Sequence, residues 1–126
     1  MKVAIPTSAG RISPVFDVAR HLLVVDVEGG GETSRHEEPI LETHLVRRAA
    51  RVAGIGVRVL ICGAITTPLE AMLRSAGVQV ISHTCGPTEE VLRAFITGQW
   101  TQQAFLMPGC RGQGRRPRGR RRRGGP

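Results

Sequence analysis

Cys62 and Cys85 are the residues best suited to chemistry, because each stands in a Cys-Gly step where an apolar, β-branched run gives way to a proline-led segment of helix-start composition. Strand carboxyl ends, with the helix N-termini that follow them, form the ligand-binding rim of an open α/β sheet. Both thiols are therefore expected at one rim. Thiolates bind soft metals and cluster iron, imidazole can serve iron as a further ligand, and helix-start amides favour an anion. This makes Cys62, Cys85 and His44 a candidate metal set, and Gly63 and Gly86 join them in a candidate cofactor-binding rim. Cys110, which follows Pro108-Gly109, is either a further metal ligand folded back on the rim or an exposed thiol open to oxidation.

Each of these residues also has a plainer reading. A lone cysteine at a strand end often serves as a small buried hydrophobe, and His44 could be an exposed polar residue. His83, just before Thr84-Cys85, is a ligand or a solvated loop residue. His21 opens a strand and reads as structural; His36 reads as solvent-facing. Arg47, Arg48 and Arg51 read as the solvated face of a helix, able to steer an anion. Other chemistries are excluded. The first strand, Val3-Ala4-Ile5, brings no carboxylate for a two-metal nuclease, and Asp26 and Glu28 lead into a glycine loop. No C-x-x-C pair marks a zinc site, and no GxGxxG or P-loop follows the first strand.

The elements that must position these residues follow from the hydrophobic pattern. Val3–Ile5, stopped by Pro6, His21–Val27, ending at Gly29-Gly30-Gly31, and the polar stretch Thr33–Pro39 read as an antiparallel meander with an edge strand. From Glu42 the period becomes helical, with Leu45, Val46, Ala49, Val52 and Ala53 on one face until Gly54 and Gly56. Val57–Cys62 is a strand, and Thr67-Pro68-Leu69-Glu70 starts a helix that Gly77 closes. Val78–Ile81 is a further strand, and a last helix runs from Gly86-Pro87-Thr88-Glu89 to Gly98. The order βββαβαβα predicts an α/β, three-layer, ribonuclease H-like fold with a five-stranded mixed sheet flanked by helices.

Charge divides the chain. The net charge of +8 comes entirely from eight arginines after Cys110, since the ten basic and ten acidic residues before them cancel. A Gly/Arg/Pro segment of this kind cannot build a core. Residues 1–106 are therefore expected to form one domain and 107–126 a disordered tail. With no Tyr and three Phe, the core must be aliphatic. Arg115–Arg123 could bind nucleic acid or an acidic protein partner, and the lack of aromatics there argues against base stacking. The apolar stretch before Pro6 is too short for a signal peptide or membrane span, so a cytoplasmic protein with free thiols is expected.

Several short motifs carry a family resemblance. They are Met1–Pro6, Gly10-Arg11-Ile12-Ser13-Pro14-Val15-Phe16, Leu22–Asp26, Ile61-Cys62-Gly63-Ala64-Ile65 and Gly86-Pro87-Thr88-Glu89-Glu90. Together with Met107-Pro108-Gly109-Cys110 they resemble the dinitrogenase iron-molybdenum cofactor biosynthesis family, which includes NifX-like carriers and a domain of NifB. The resemblance implies a ribonuclease H-like domain that binds an iron-sulfur or iron-molybdenum-type cluster as cargo, without turnover, and exchanges it with cluster donor and acceptor proteins. Members often carry His-Phe after Ile-Ser-Pro, where this chain has Val15-Phe16. The resemblance thus leaves ligation to His44 and the cysteines.

Overall fold

The computed structural model describes residues 1–98. Cys110, the arginines Arg115–Arg123 and the boundary expected at 106 lie outside the described residues. Six strands form one mixed sheet: β1 (Lys2–Ser8), β2 (Arg11–Ile12), β3 (His21–Glu28), β4 (Gly31–Pro39), β5 (Val57–Ile61) and β6 (Gln79–Ile81). The order is β4-β3-β1-β5-β6, with β2 off this path and paired with β1. β3 is antiparallel to β1 and to β4, whereas β5 is parallel to β1 and to β6. The helices are α1 (Leu45–Ile55), α2 (Thr67–Ser75) and α3 (Thr88–Thr97), and a 3-10 turn spans Phe16–Val18.

The alternation of side chains along each strand explains the layering. Val3 and Ile5 point to the side of Leu23, Val25, Val59 and Ile61, where α3 adds Val91 and Leu92. Ala4 faces the opposite way with Leu22, Val24 and Leu60, where α1 adds Ala49 and Val52 and α2 adds Leu69 and Leu73. Strands covered on both faces read as continuous apolar runs, as β1, β3 and β5 do. Among the described residues, no helix is long and apolar enough to cross a membrane.

Four sequence expectations need correction. β1 continues through Pro6 to Ser8 rather than stopping there; Pro6 lies beyond the last residue that pairs with β5, Ala4. The sheet gains a sixth strand because the turn after β1 folds Arg11–Ile12 back onto Thr7 and Ser8. α1 begins at Leu45, so His44 is its N-cap residue and not part of its first turn. The helix is also rotated relative to the expected face: Arg48 is buried and Val46 is 55% exposed. The spacing Leu45, Arg48, Ala49, Val52 is the apolar stripe, and Arg48 occupies its i+3 position.

The exposed edge strand β4 is fastened to α3 by Arg35. Its guanidinium is bidentate to Glu32 (2.6 and 2.7 Å) and to Glu89 (2.6 and 3.1 Å). Hydrogen bonds from Arg35 hold both carboxyls below the usual carboxylate value of 4.5. A depressed acid stabilises the fold above its unfolded value, and that contribution is lost as the pH falls through the lowered native value. Arg35→Ala should therefore lower the melting temperature at neutral pH, and the gap to wild type should close in acid below 4.5. Thermal melts of the two proteins across that range check it.

Candidate functional site

Above the carboxyl ends of β1, β5 and β6, three connecting segments are laced together by their backbones. Ser13 N donates to Pro6 O (2.9 Å), Ile12 N to Gly86 O (3.0 Å) and Thr88 N to Gly10 O (3.0 Å). Phe16 N donates to Ala64 O and Ala64 N to Pro14 O, each at 2.8 Å, while Thr84 N donates to Cys62 O and His83 N to Gly63 O, each at 2.9 Å. Gly63 is what permits this closeness: a Cβ there would lie 2.5 Å from Pro14 O and 2.8 Å from Ser13 O. Asp17 adds a side-chain tie, accepting hydrogen bonds from Thr66 N (3.0 Å) and Thr66 Oγ1 (2.6 Å) at the start of α2.

The expected ligands fare differently in this frame. The segments carrying Cys62 and Cys85 do meet at the rim, through the Thr84–Cys62 hydrogen bond. Cys62 itself, however, is fully buried in the core on the α1/α2 side of the sheet. Burial pushes its thiol up to about 12, with smaller contributions from the negative charges of Glu70 and Asp17. It is therefore a protonated core side chain, and its parity explains why: Leu60 and Cys62 share one face of the strand direction, while Val59 and Ile61 share the other. Cys85 is half-buried, and Gly86 beside it adopts a φ of 129°. His44 and His83 are exposed, His83 with a φ of 60°. Among the described residues, no three His, Cys, Asp or Glu side chains are gathered to hold a metal ion, so Cys62, Cys85 and His44 do not form one ligand set.

Two open grooves lie nearby, on residues outside the expected ligand set. A groove of about 500 Å³ is lined by Ser13, Pro14, Val15, Val18, Arg20 and His21. A second, of about 470 Å³, is lined by Asp17, Arg20, Ile40, Leu41, Thr43 and Arg48. The two share Val18, Ala19 and Arg20. Val18 is 73% exposed and Leu41 65%.

Arg48 holds the walls of the second groove. Its Nη1 donates to Glu42 O, and its Nη2 donates to Phe16 O and Ala19 O, all at 2.7 Å. The guanidinium carbon also lies 5.2 Å from the centre of the Phe16 ring. One side chain thus ties α1, the segment before it and the 3-10 turn together. Desolvation lowers its pKa from the ordinary arginine value, opposed by the charges of Asp17 and Glu42.

Two outcomes follow from the rim. Gly63→Ala drives a methyl into backbone oxygens that cannot rotate away, and it should cost roughly 1–3 kcal/mol or more in urea unfolding. The Cys62 thiol stabilises the fold fully below its ordinary value of 9.0, and that contribution is lost as the pH climbs toward about 12. The unfolding midpoint of wild type should consequently fall more steeply in alkali than that of Cys62→Ala.

Known proteins of the same architecture exist. The structure of PH0822 superposes with a TM-score of 0.73 at 23% identity, covering 78% of this chain and 90% of that one. The apo form of the orange protein from Desulfovibrio gigas gives 0.67 at 20% identity, covering 83% and 94%. A NifB-type protein from Thermotoga gives 0.59 at 26% identity, covering 78% and 89%. Curated proteins yield no match. The family described as dinitrogenase iron-molybdenum cofactor matches residues 1–98, the whole of the folded part described above, and the chain belongs to that family.

Proposed function

We propose that this protein is a non-catalytic carrier of an iron-sulfur-type metallocluster, with the iron-molybdenum cofactor or a precursor as the class of cargo. Membership of the family supports the cargo class. The observation that carries the reading is the pair of open grooves that share Val18, where apolar Pro14, Val15, Ile40 and Leu41 stand beside Arg20, His21 and Arg48, with Asp17 the carboxylate in their lining. Clusters of this class are bulky anions with sulfide surfaces, which apolar walls and fixed positive charge can hold without a full set of protein ligands. Donor and acceptor proteins in the cytoplasm would deliver and remove the cargo at this open face.

Cys85 and His44 are the ligands this reading retains, with Gly63 and Gly86 shaping the rim beside them. Cys62 is dropped as a ligand because its thiol is buried and protonated. The strand order β4-β3-β1-β5-β6, an antiparallel meander followed by two parallel strands, supports the ribonuclease H-like assignment.

Anaerobic incubation with iron, molybdenum and sulfide donors, followed by metal analysis and visible absorption, tests the reading. Wild type and Cys62→Ala should take up cluster stoichiometrically, and Cys85→Ser and His44→Ala should retain it less well through gel filtration. Folded wild type that binds no cluster from any donor overturns the carrier reading.

A further inference from the structure

β4 ends the sheet with an open edge. Among the described residues no strand pairs with its outer side, and most of its nine residues are exposed. The direction of the backbone groups along this edge follows from the ladder. Ile40 N donates to Arg20 O on the β3 side, and the register sets Glu38, His36 and Ser34 opposite Leu22, Val24 and Asp26. Backbone polar groups alternate in direction along a strand, so those of Ser34, His36 and Glu38 point to β3. The N–H and C=O of Arg35 and Glu37, and the C=O of Pro39, therefore point outward. Pro39 agrees with this, since a proline in a sheet belongs where no ladder donor is needed.

Long edges are guarded by charge against unwanted strands, and here the guard has one sign in excess. Glu32, Glu37 and Glu38 lie on β4 and Glu89 beside it, against Arg35, which binds Glu32 and Glu89, and Arg51, which binds Glu38. Four carboxylates thus stand against two guanidinium groups, and Glu37 has no side-chain partner among the described residues. An apolar strand laid on this edge would strip water from the carboxylates and return nothing. An acidic strand, or β4 of a second copy, would add like charge; a basic strand restores the balance. We propose that the open edge of β4 docks an extended, lysine- or arginine-bearing segment of a partner protein, which joins the sheet as a further strand through the outward groups of Arg35 and Glu37. Exposed ion pairs contribute little affinity, so the backbone bonds hold the segment and the carboxylates reject the wrong ones. The Pro39 end of the edge runs into Ile40 and Leu41, which line the second groove, so a docked partner stands beside it. This goes beyond the carrier reading and does not depend on it.

Proton–nitrogen NMR of the full chain with two capped probe peptides tests the proposal. One alternates lysine and valine over about seven residues, enough to span the outward groups at about 3.3 Å per residue; the other has glutamate in place of lysine. The lysine peptide should give saturable shifts in the β4 amides and slow the solvent exchange of the Arg35 and Glu37 amides. The His36 amide, already directed at β3, should change little, and the glutamate peptide should do neither. Glu37→Lys, at an exposed position, should weaken binding of the lysine peptide about tenfold or more. Glu37→Pro removes one outward N–H without touching the ladder to β3, and it should abolish the protection at Arg35. If that variant does not fold, Glu37→Lys decides the matter.

Equal binding of the two peptides, shifts centred away from β4, or indifference to Glu37→Lys would each overturn the proposal. So would Arg35 and Glu37 amides that are protected before any peptide is added. Protection independent of protein concentration would put this chain's own arginine segment on the edge, and protection that grows with concentration would put a second copy there. Peptide binding by a protein that takes up no cluster would leave this docking site standing and sink the carrier reading. Cluster uptake without peptide binding would do the reverse.

Discussion

Because β1 is buried on both faces and flanked by an antiparallel neighbour on one side and a parallel one on the other, the chain has little freedom in where its connections can run. The antiparallel partner β3 is reached by a local return, which the chain makes through β2 and the Phe16–Val18 turn above the carboxyl end of β1. The parallel partners β5 and β6 can be reached only by crossovers, and α1 and α2 supply them. Both kinds of connection converge over the same end of the sheet. The rim is crowded by topology before any functional residue is considered, and its segments must either interpenetrate or pack closely. Gly63 and Arg48 are the two solutions found here: one removes a side chain so that backbones can touch, the other inserts a long side chain to gather carbonyls from separate segments.

These solutions differ in what they leave behind. The Gly63 contact satisfies backbone donors and acceptors on both sides and closes the surface, so it contributes rigidity and no binding capacity. Arg48 also satisfies carbonyls, at Glu42, Phe16 and Ala19, but it brings a full positive charge into a place where an apolar side chain of similar length would fill the space at lower desolvation cost. Stability alone does not favour a guanidinium there. Its contact with the Phe16 ring offsets part of the penalty, since Arg is weakly hydrated and its planar face packs on aromatics.

Much of the fold was legible in the sequence because it rests on short-range signals. Glycines near helix ends, the Pro68 helix start and the change of hydrophobic period at the end of the meander located the strands and helices to within a few residues. What escaped were features set by parity and by long-range geometry. Cys62 has the parity of Leu60, so extending β5 by one residue already turns its thiol inward, and only its position at a Cys-Gly step made it look like a rim ligand. Arg48 sits at the i+3 position from Leu45, a placement the apolar spacing contained but the residue type disguised. The Gly63–Pro14 contact joins segments far apart in sequence, and no local pattern announces it. The grooves beside Val18 were invisible for the same reason: Phe16–Arg20 and Ile40–Thr43 are unremarkable loops until α1 brings Arg48 beneath them.

A burial-driven correction at one cysteine changes the kind of binding the molecule can offer. A rim with two thiolates would coordinate metal by covalent bonds, with slow release unless a partner thiol displaced them. With Cys62 committed to the core, Cys85 and the exposed His44 are not gathered into one ligand set, and the grooves beside Val18 offer a surface that mixes apolar side chains with Arg20, Arg48 and Asp17. Affinity from such a surface comes from buried area and from a fixed field, both of which act on the whole ligand and neither of which needs a bond to break on departure. A cargo held in this way can be passed on by a partner that covers the same open face, since exchange then requires displacement from a groove and not substitution at each metal. The proposed role of the protein and the chemistry of its groove thus agree on one physical ground: weak ligation combined with a buried charge suits transfer better than storage.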